Sequence, residues 1–184
     1  MQTPHPSARA GRWRLLRRLA RDRDGAAAVE FAFVALPFFA LIGAIIETSM
    51  VFLANQVLET AVYDASRLIR TGQAQQSGYD SAAFKTQVCN RLYILVDCAG
   101  VSVDVRTVST FSAVTTTAPV DEKGNFVNTS FTYSAGKASE LVMVRAYYQY
   151  PLIFSSLGLD LSDLSNGKRL IGTVTAFRNE PFPW

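Results

Sequence analysis

Gly25-Ala-Ala-Ala-Val-Glu30-Phe-Ala-Phe-Val-Ala-Leu-Pro37-Phe-Phe-Ala-Leu-Ile-Gly43-Ala-Ile-Ile46 decides the fold. A basic tail stands ahead of it. Residues 1–25 hold Arg9, Arg12, Arg14, Arg17, Arg18, Arg21 and Arg23 against Asp22 and Asp24, a local charge of +5. The rest of the chain carries eleven basic and thirteen acidic groups, so the formal +3 and the pI of 9.0 belong to the tail. From Ala26 to Ala54 the only charges are Glu30 and Glu47. At ~1.5 Å rise per residue these two lie roughly 25 Å apart along a helix, near the edges of a hydrocarbon slab about 30 Å thick. One membrane-spanning helix fits, over residues 26–50.

The arginines keep residues 1–25 cytoplasmic, because the next basic residues, Arg67 and Arg70, lie far beyond Glu47. The C-terminal part then stands outside the cytoplasm, in the periplasm of a Gram-negative host. A basic tail alone suits nucleic acid or acidic lipid. Beside an apolar run it reads as a topological signal, and no nucleic-acid partner is expected. Trp13–Ala20 admits two readings, a short amphipathic helix on membrane lipid or a plain retention signal. A secretory signal peptide has an apolar region of about 7–15 residues ending at a small-residue site. This run is longer, contains Glu30 and Pro37, and merges into an amphipathic helix. An uncleaved anchor is the stronger alternative.

Past Glu47 the pattern turns one-sided. Val51, Ala54, Leu58, Ala61, Ala65 and Leu68 recur at spacings of three and four, while Asn55, Gln56, Glu59, Tyr63 and Asp64 fill other faces. Residues 51–72 therefore continue the same helix with one stripe to bury, and Thr71-Gly72 supplies the stop. Pro37 removes one backbone donor and predicts a kink. The whole helix spans about 70 Å, more than a small domain needs.

Residues 73–184 read as an α+β domain. Ser81–Leu95 predicts a second helix capped by Ser81, with Ala82, Phe84, Val88, Leu92 and Leu95 on one face. Val101–Val108 alternates, with Val101, Val103 and Val105 on one side. Glu140–Tyr150 and Lys168–Arg178 alternate likewise, and Phe126–Tyr133 is expected as a short fourth strand. Thr115–Gly124 and Ser155–Gly167 read as connections, the second a loop or short helix. Three or four strands on one long helix give a small antiparallel sheet in an α+β fold.

Cys89 and Cys98 are the only cysteines. In an oxidising compartment an isolated pair reads as a disulfide, with two buried thiols as the alternative. A redox site more often takes C-x-x-C, and a zinc site needs two more ligands. The sole histidine, His5, lies in the tail, which denies the outer domain a Ser-His-Asp triad, a Cys-His dyad or a histidine zinc site. The carboxylates Asp97, Asp104, Glu140, Asp160 and Glu180 are scattered. No catalytic residue, metal or cofactor is expected, and the chain reads as a non-enzyme. Asn128-Thr129-Ser130 matches a glycosylation triplet that is common by chance.

Gly25-Ala-Ala-Ala-Val-Glu-Phe31 resembles the processing site of type IV pilin-like proteins in the form used by Flp (Tad) pili: a glycine, four residues, a glutamate and an aromatic. Further segments carry the likeness: Val88-Cys-Asn-Arg-Leu92 with Asp97-Cys98, Val103-Asp-Val-Arg106, Val144-Arg-Ala-Tyr-Tyr-Gln-Tyr-Pro151 and Thr175-Ala-Phe-Arg-Asn-Glu-Pro-Phe182. Together they resemble the TadE-like minor pseudopilins. The length favours these over the longer TadG-like chains of the same systems.

The resemblance implies a pilin-like fold and cleavage between Gly25 and Ala26 by a prepilin peptidase. It implies a single-pass inner-membrane protein that serves assembly of Flp pili for surface adhesion. Its implied partners are pilin and pseudopilin subunits and the inner-membrane Tad assembly platform. Glu30, with Phe31 beside it, would pair with the new terminal amine of a neighbouring subunit and set axial register. At the level of residues alone a second role for Glu30 stays open, complementing the helix dipole. Ala32, Ala35, Ala40, Gly43 and Ala44 permit close helix packing.

Overall fold

Helix α1 runs from Ala26 to Arg70, continuous through Pro37. The computed structural model describes residues 25–93, 95–153 and 160–183. The basic leader ahead of Gly25, with Trp13–Ala20 and His5, lies outside the described residues, as do residues 155–159 of the expected 155–167 connection. The chain divides into two units inside α1, between Gly43 and Ala44.

In the first unit, the large apolar side chains of α1 face outward: Phe31, Phe33, Val34, Leu36, Phe38, Phe39 and Leu41 are all exposed. No polar stripe divides them, so this segment has no inward face of its own.

The second unit begins with the amphipathic half of α1. Ala54, Leu58, Ala61 and Ala65 are buried as expected, while Val51 and Leu68 are half-buried. Val62, Ser66 and Ile69 are buried as well, so the stripe is broader than a single row of threes and fours. Gln56, Glu59, Tyr63 and Asp64 are exposed on the opposite side. At the end of α1 the Thr71 N–H donates to the Arg67 carbonyl at 3.0 Å and the Gly72 N–H to the Ile69 carbonyl at 3.1 Å. Gly72 has φ 81°, and a Cβ there would meet the Phe182 ring at 2.7 Å, so both backbone and space require glycine.

A single turn, α2 (Gln73–Gln76), leads to α3 (Ser81–Cys89). Two sequence expectations change here. The N-cap is Asp80 and not Ser81, because the Asp80 carboxylate accepts the Ala83 N–H at 2.7 Å. The helix stops at Cys89, not Leu95. Short-range bonds from Arg91 N–H to the Val88 carbonyl and from Leu92 N–H to the Cys89 carbonyl, each 3.0 Å, tighten and end it.

Strands β1 (Val101–Val108), β2 (Leu141–Pro151) and β3 (Lys168–Arg178) form one antiparallel sheet in the order β1-β2-β3. Val105 lies opposite Val144, and Val144 opposite Thr175. One face of the sheet, with Val101, Val105, Val142, Val144, Ala146, Tyr148 and Ile171, closes a core with the α1 stripe and with Phe84 and Val88 of α3. The central strand β2 is buried on both faces, since the other face holds Asp104, Met143, Arg145 and Tyr147. The fold is α+β and pilin-like, a long apolar N-terminal helix packed on a three-stranded sheet.

The expected fourth strand, Phe126–Tyr133, is not one. It meets the sheet at a single bridge between Tyr133 and Val105. Side chains satisfy its backbone in place of a ladder: Asp104 Oδ1 accepts the Thr132 N–H at 2.9 Å, and Arg106 Nη2 donates to the Ser130 carbonyl. A turn from Asn128 to Phe131 breaks the extended run.

Candidate assembly site

Gly25 directly precedes α1, and Glu30 is the fifth residue of the helix. A Cβ at Gly25 would meet nothing within 4 Å among the described residues, so packing against them does not demand glycine there. Gly25, Ala26, Glu30 and Phe31 are all exposed, Phe31 at 71% and Phe33 close by at 76%. Glu30 has no hydrogen-bond or ion-pair partner among the described residues. The first turn of α1 holds no acidic residue. Glu30 thus lies past the zone where the helix dipole acts strongly. The most apolar 18-residue window of α1 has a mean hydropathy of 2.4 and is 6% buried. Length and composition suit this helix to a membrane anchor.

Cys89 and Cys98 form a disulfide, with Cα atoms 5.4 Å apart. It ties the end of α3 to the turn before β1, where Asp97 Oδ1 accepts the Ala99 N–H at 3.0 Å.

Three further features escaped a reading by residue chemistry. The first is the C-terminal Asn179-Glu180-Pro-Phe182. Asn179 is buried, and its Nδ2 donates to the Ala135 and Lys137 carbonyls at 2.9 and 3.0 Å. The Glu180 N–H donates to the Arg70 carbonyl at 2.8 Å, and the Glu180 carboxylate lies 3.7 Å from the Arg70 guanidinium. Phe182 lies over Gly72. The tail therefore caps α1 and holds the 135–137 loop.

The second is Glu47, which is buried and accepts the Ile153 N–H at 2.6 Å. Burial, and then the Glu47 charge, push the Tyr150 phenol up from its ordinary value.

The third is the ion cluster on the outer face of the sheet. Asp104 is fully buried, yet it accepts Arg106 Nε at 2.8 Å, Arg145 Nη2 at 2.6 Å and Arg145 Nε at 3.0 Å. Burial alone would raise its pKa. The bonds from Arg106, the Thr132 N–H and Arg145 outweigh burial and hold the carboxyl below 3.8. The sequence showed Asp104 and Arg106 at i and i+2 in β1, one face of a strand. Arg145 joins them only through the register that sets it opposite Asp104.

Among the described residues no group of three or more His, Cys, Asp or Glu is placed to hold a metal ion. The predicted residues separate into two sets, one within the first turns of α1 and one at the disulfide.

No curated protein and no solved structure matches the chain. The model of one family, described as TadE-like protein, matches residues 25–67. The match opens on Gly25, takes in Glu30 and the whole apolar run, and ends within the last turn of the buried stripe. It implies a role, and partners, in the Tad pilus machinery. Residues 25–67, the greater part of α1, are a TadE-like protein domain.

Proposed function

We propose that this protein is a non-enzymatic pseudopilin, cleaved between Gly25 and Ala26 by a prepilin peptidase and inserted among pilin helices during assembly of Flp (Tad) pili. Residues 1–25 are the cytoplasmic leader, 26–50 cross the inner membrane, 51–72 continue the helix, and 73–184 form the extracytoplasmic domain. The observation that carries the proposal is Glu30, exposed in an apolar wall without a hydrogen-bond or ion-pair partner among the described residues. A carboxylate at membrane depth is costly unless paired. Cleavage after Gly25 creates such a partner, the free ammonium of Ala26 on a neighbouring subunit. The position of Glu30 beyond the first turn supports pairing over a dipole role. The three alanines after Gly25 suit a narrow protease groove.

The intact mass of the membrane-extracted protein, from cells with and without the prepilin peptidase, tests this. Peptidase-dependent loss of Met1–Gly25 is expected. A full-length mass in both strains would replace the proposal with an uncleaved, membrane-anchored scaffold.

A further inference from the structure

Glu47 ends the uncharged run of α1, yet it does not end the apolar surface. It is buried in the second unit and accepts the Ile153 N–H at 2.6 Å. A buried, bonded carboxylate sets no limit on what the opposite side of the helix can meet. On that side Ile45, Ile46, Ser49, Phe52 and Leu53 are all exposed and follow one another at spacings of three and four. The one hydroxyl among them, on Ser49, donates to the Ile45 carbonyl at 2.7 Å, so its hydrogen is bonded within the helix. Neighbouring backbone carbonyls satisfy polar side chains in the same way inside a bilayer. The row turns polar only at Gln56 and Glu59, which are exposed and bonded to each other at 3.4 Å.

Length supports the longer surface. At ~1.5 Å rise per residue, residues 31–46 cover about 23 Å of helix, short of a hydrocarbon slab about 30 Å thick, whereas residues 31–53 cover about 33 Å.

The end of the sheet reaches the same level. The bond from Glu47 holds the Ile153 main chain beside α1, and the Ile153 side chain is 69% exposed. Glu47 lies about 9 Å before Leu53 along the helix at ~1.5 Å per residue, so Ile153 stands within the apolar stretch and not beyond it. The ladder sets Pro151 opposite Lys168 and Tyr150 opposite Arg169, which places two cations at this end of the sheet. Arg169 is half-buried and pairs with Asp163 at 3.5 Å, while Lys168 is exposed. A lysine stem can lie along apolar surface and keep its ammonium in the headgroup layer.

We propose that Ile153 enters the lipid of the leaflet on the sheet's side, giving the chain a second membrane contact besides α1. The inference rests on the reading of α1 as a membrane anchor. Continuity names the occupant. The exposed apolar row runs from Ile42 to Leu53 with no unbonded polar group in it, and Ile153 stands at its level. A bilayer that covers the start of this row meets no boundary before Gln56.

The test uses the full chain, with Cys89–Cys98 closed, in vesicles of zwitterionic phospholipid at a low protein-to-lipid ratio. Single cysteines replace Phe33, Leu53, Tyr63 or Ile153 in turn and carry a fluorophore, and doxyl groups on the lipid acyl chains quench it. Phe33→Cys reports the anchor, and Tyr63→Cys reports the exposed polar part of α1. Ile153→Cys keeps the backbone N–H that Glu47 accepts and changes only an exposed side chain. Ile153→Cys and Leu53→Cys should lose more than half of their emission, as Phe33→Cys does, and Tyr63→Cys almost none. A quenched Phe33→Cys beside an unquenched Ile153→Cys would overturn the proposal and leave the anchor standing. With Phe33→Cys unquenched as well, the anchor reading would fall and the proposal with it. An Ile153→Cys label shielded from aqueous iodide but untouched by the doxyl lipids would also overturn it, because a second copy of the chain would then cover the site.

Discussion

The two parts of α1 obey one helical geometry and meet opposite fates. Leu58 and Val62 are fully buried, while Phe33 and Leu36 are exposed at 76% and 73%. Nothing in backbone preference separates them. What differs is the arrangement of polar residues. Asn55, Gln56, Glu59 and Asp64 leave the outer half one apolar stripe, which a three-stranded sheet can cover. The inner half carries Glu30 as its one charge and is otherwise apolar all round, a composition that suits a membrane anchor. The second unit thus holds its own buried core, while the described residues of the first bury almost none of their apolar surface.

The comparison breaks most sharply at Asp104. Removing one partner of a buried charge pair costs about 3–5 kcal/mol, because the other charge is left uncompensated. Asp104→Ala strands Arg145, and the melting temperature of the second unit should fall by on the order of 10 °C. The folded-state pKa of Asp104 lies below its ordinary 3.8. Its contribution to stability is therefore complete above about pH 4 and is lost as pH falls from there through the folded-state value. Thermal melts of wild type between pH 6 and pH 2.5 should show that decline, and the variant should lack this share of it.

Leu58→Ala tests the same contrast on apolar ground. Leu58 is 0% exposed, and its truncation should cost about 2–5 kcal/mol. Phe33→Ala removes a larger side chain from the same helix, yet should leave the domain's melting temperature unchanged. An equal loss from both variants would show that the inner half is part of the domain's core after all.

Cys89→Ser should cost about 2–3 kcal/mol by releasing a short loop. With a reductant present, wild type and variant should melt together. A variant as stable as the oxidised wild type would show that α3 and β1 need no such tie.

How much of this was legible in the sequence depended on distance along the chain. The long helix, its stop at Gly72, the cysteine pair and three strands follow from local pattern: period, turn chemistry and alternation. Ser81–Leu95 was read too long because Leu92 and Leu95 extend the apolar period, while the bonds that close the turn after Cys89 leave no mark in composition. Phe126–Tyr133 has strand-like composition, but Asp104 and Arg106 capture its backbone from a strand some two dozen residues away. Glu47 read as a charge at the membrane's edge. Its bond to Ile153 spans 106 residues, and no local pattern reports it. In the candidate site, Gly25, Ala26 and Glu30 stand out in the sequence because a glycine, a carboxylate and an apolar run are conspicuous together, and their roles belong to the proposed function. Asn179 and Glu180 were not, because their work is done on Ala135, Lys137 and Arg70 through the fold.

Glu30→Ala should have the smallest effect on stability and the largest on assembly. Glu30 is exposed and has no hydrogen-bond or ion-pair partner among the described residues, so the second unit should keep its stability within about 0.5 kcal/mol. Under the proposed function, processing after Gly25 should persist in this variant, because Gly25 and the small residues after it are intact. Co-purification with the system's pilin subunits, measured from cross-linked membranes, should fall. Glu30→Gln distinguishes the reason. It keeps the size of the side chain and one acceptor oxygen while removing the charge, so a loss as deep as that of Glu30→Ala assigns the effect to pairing with an ammonium. Full co-purification of both variants would return Glu30 to complementing the helix dipole. Its place at the fifth position, with four uncharged residues ahead of it in α1, makes that the weaker role.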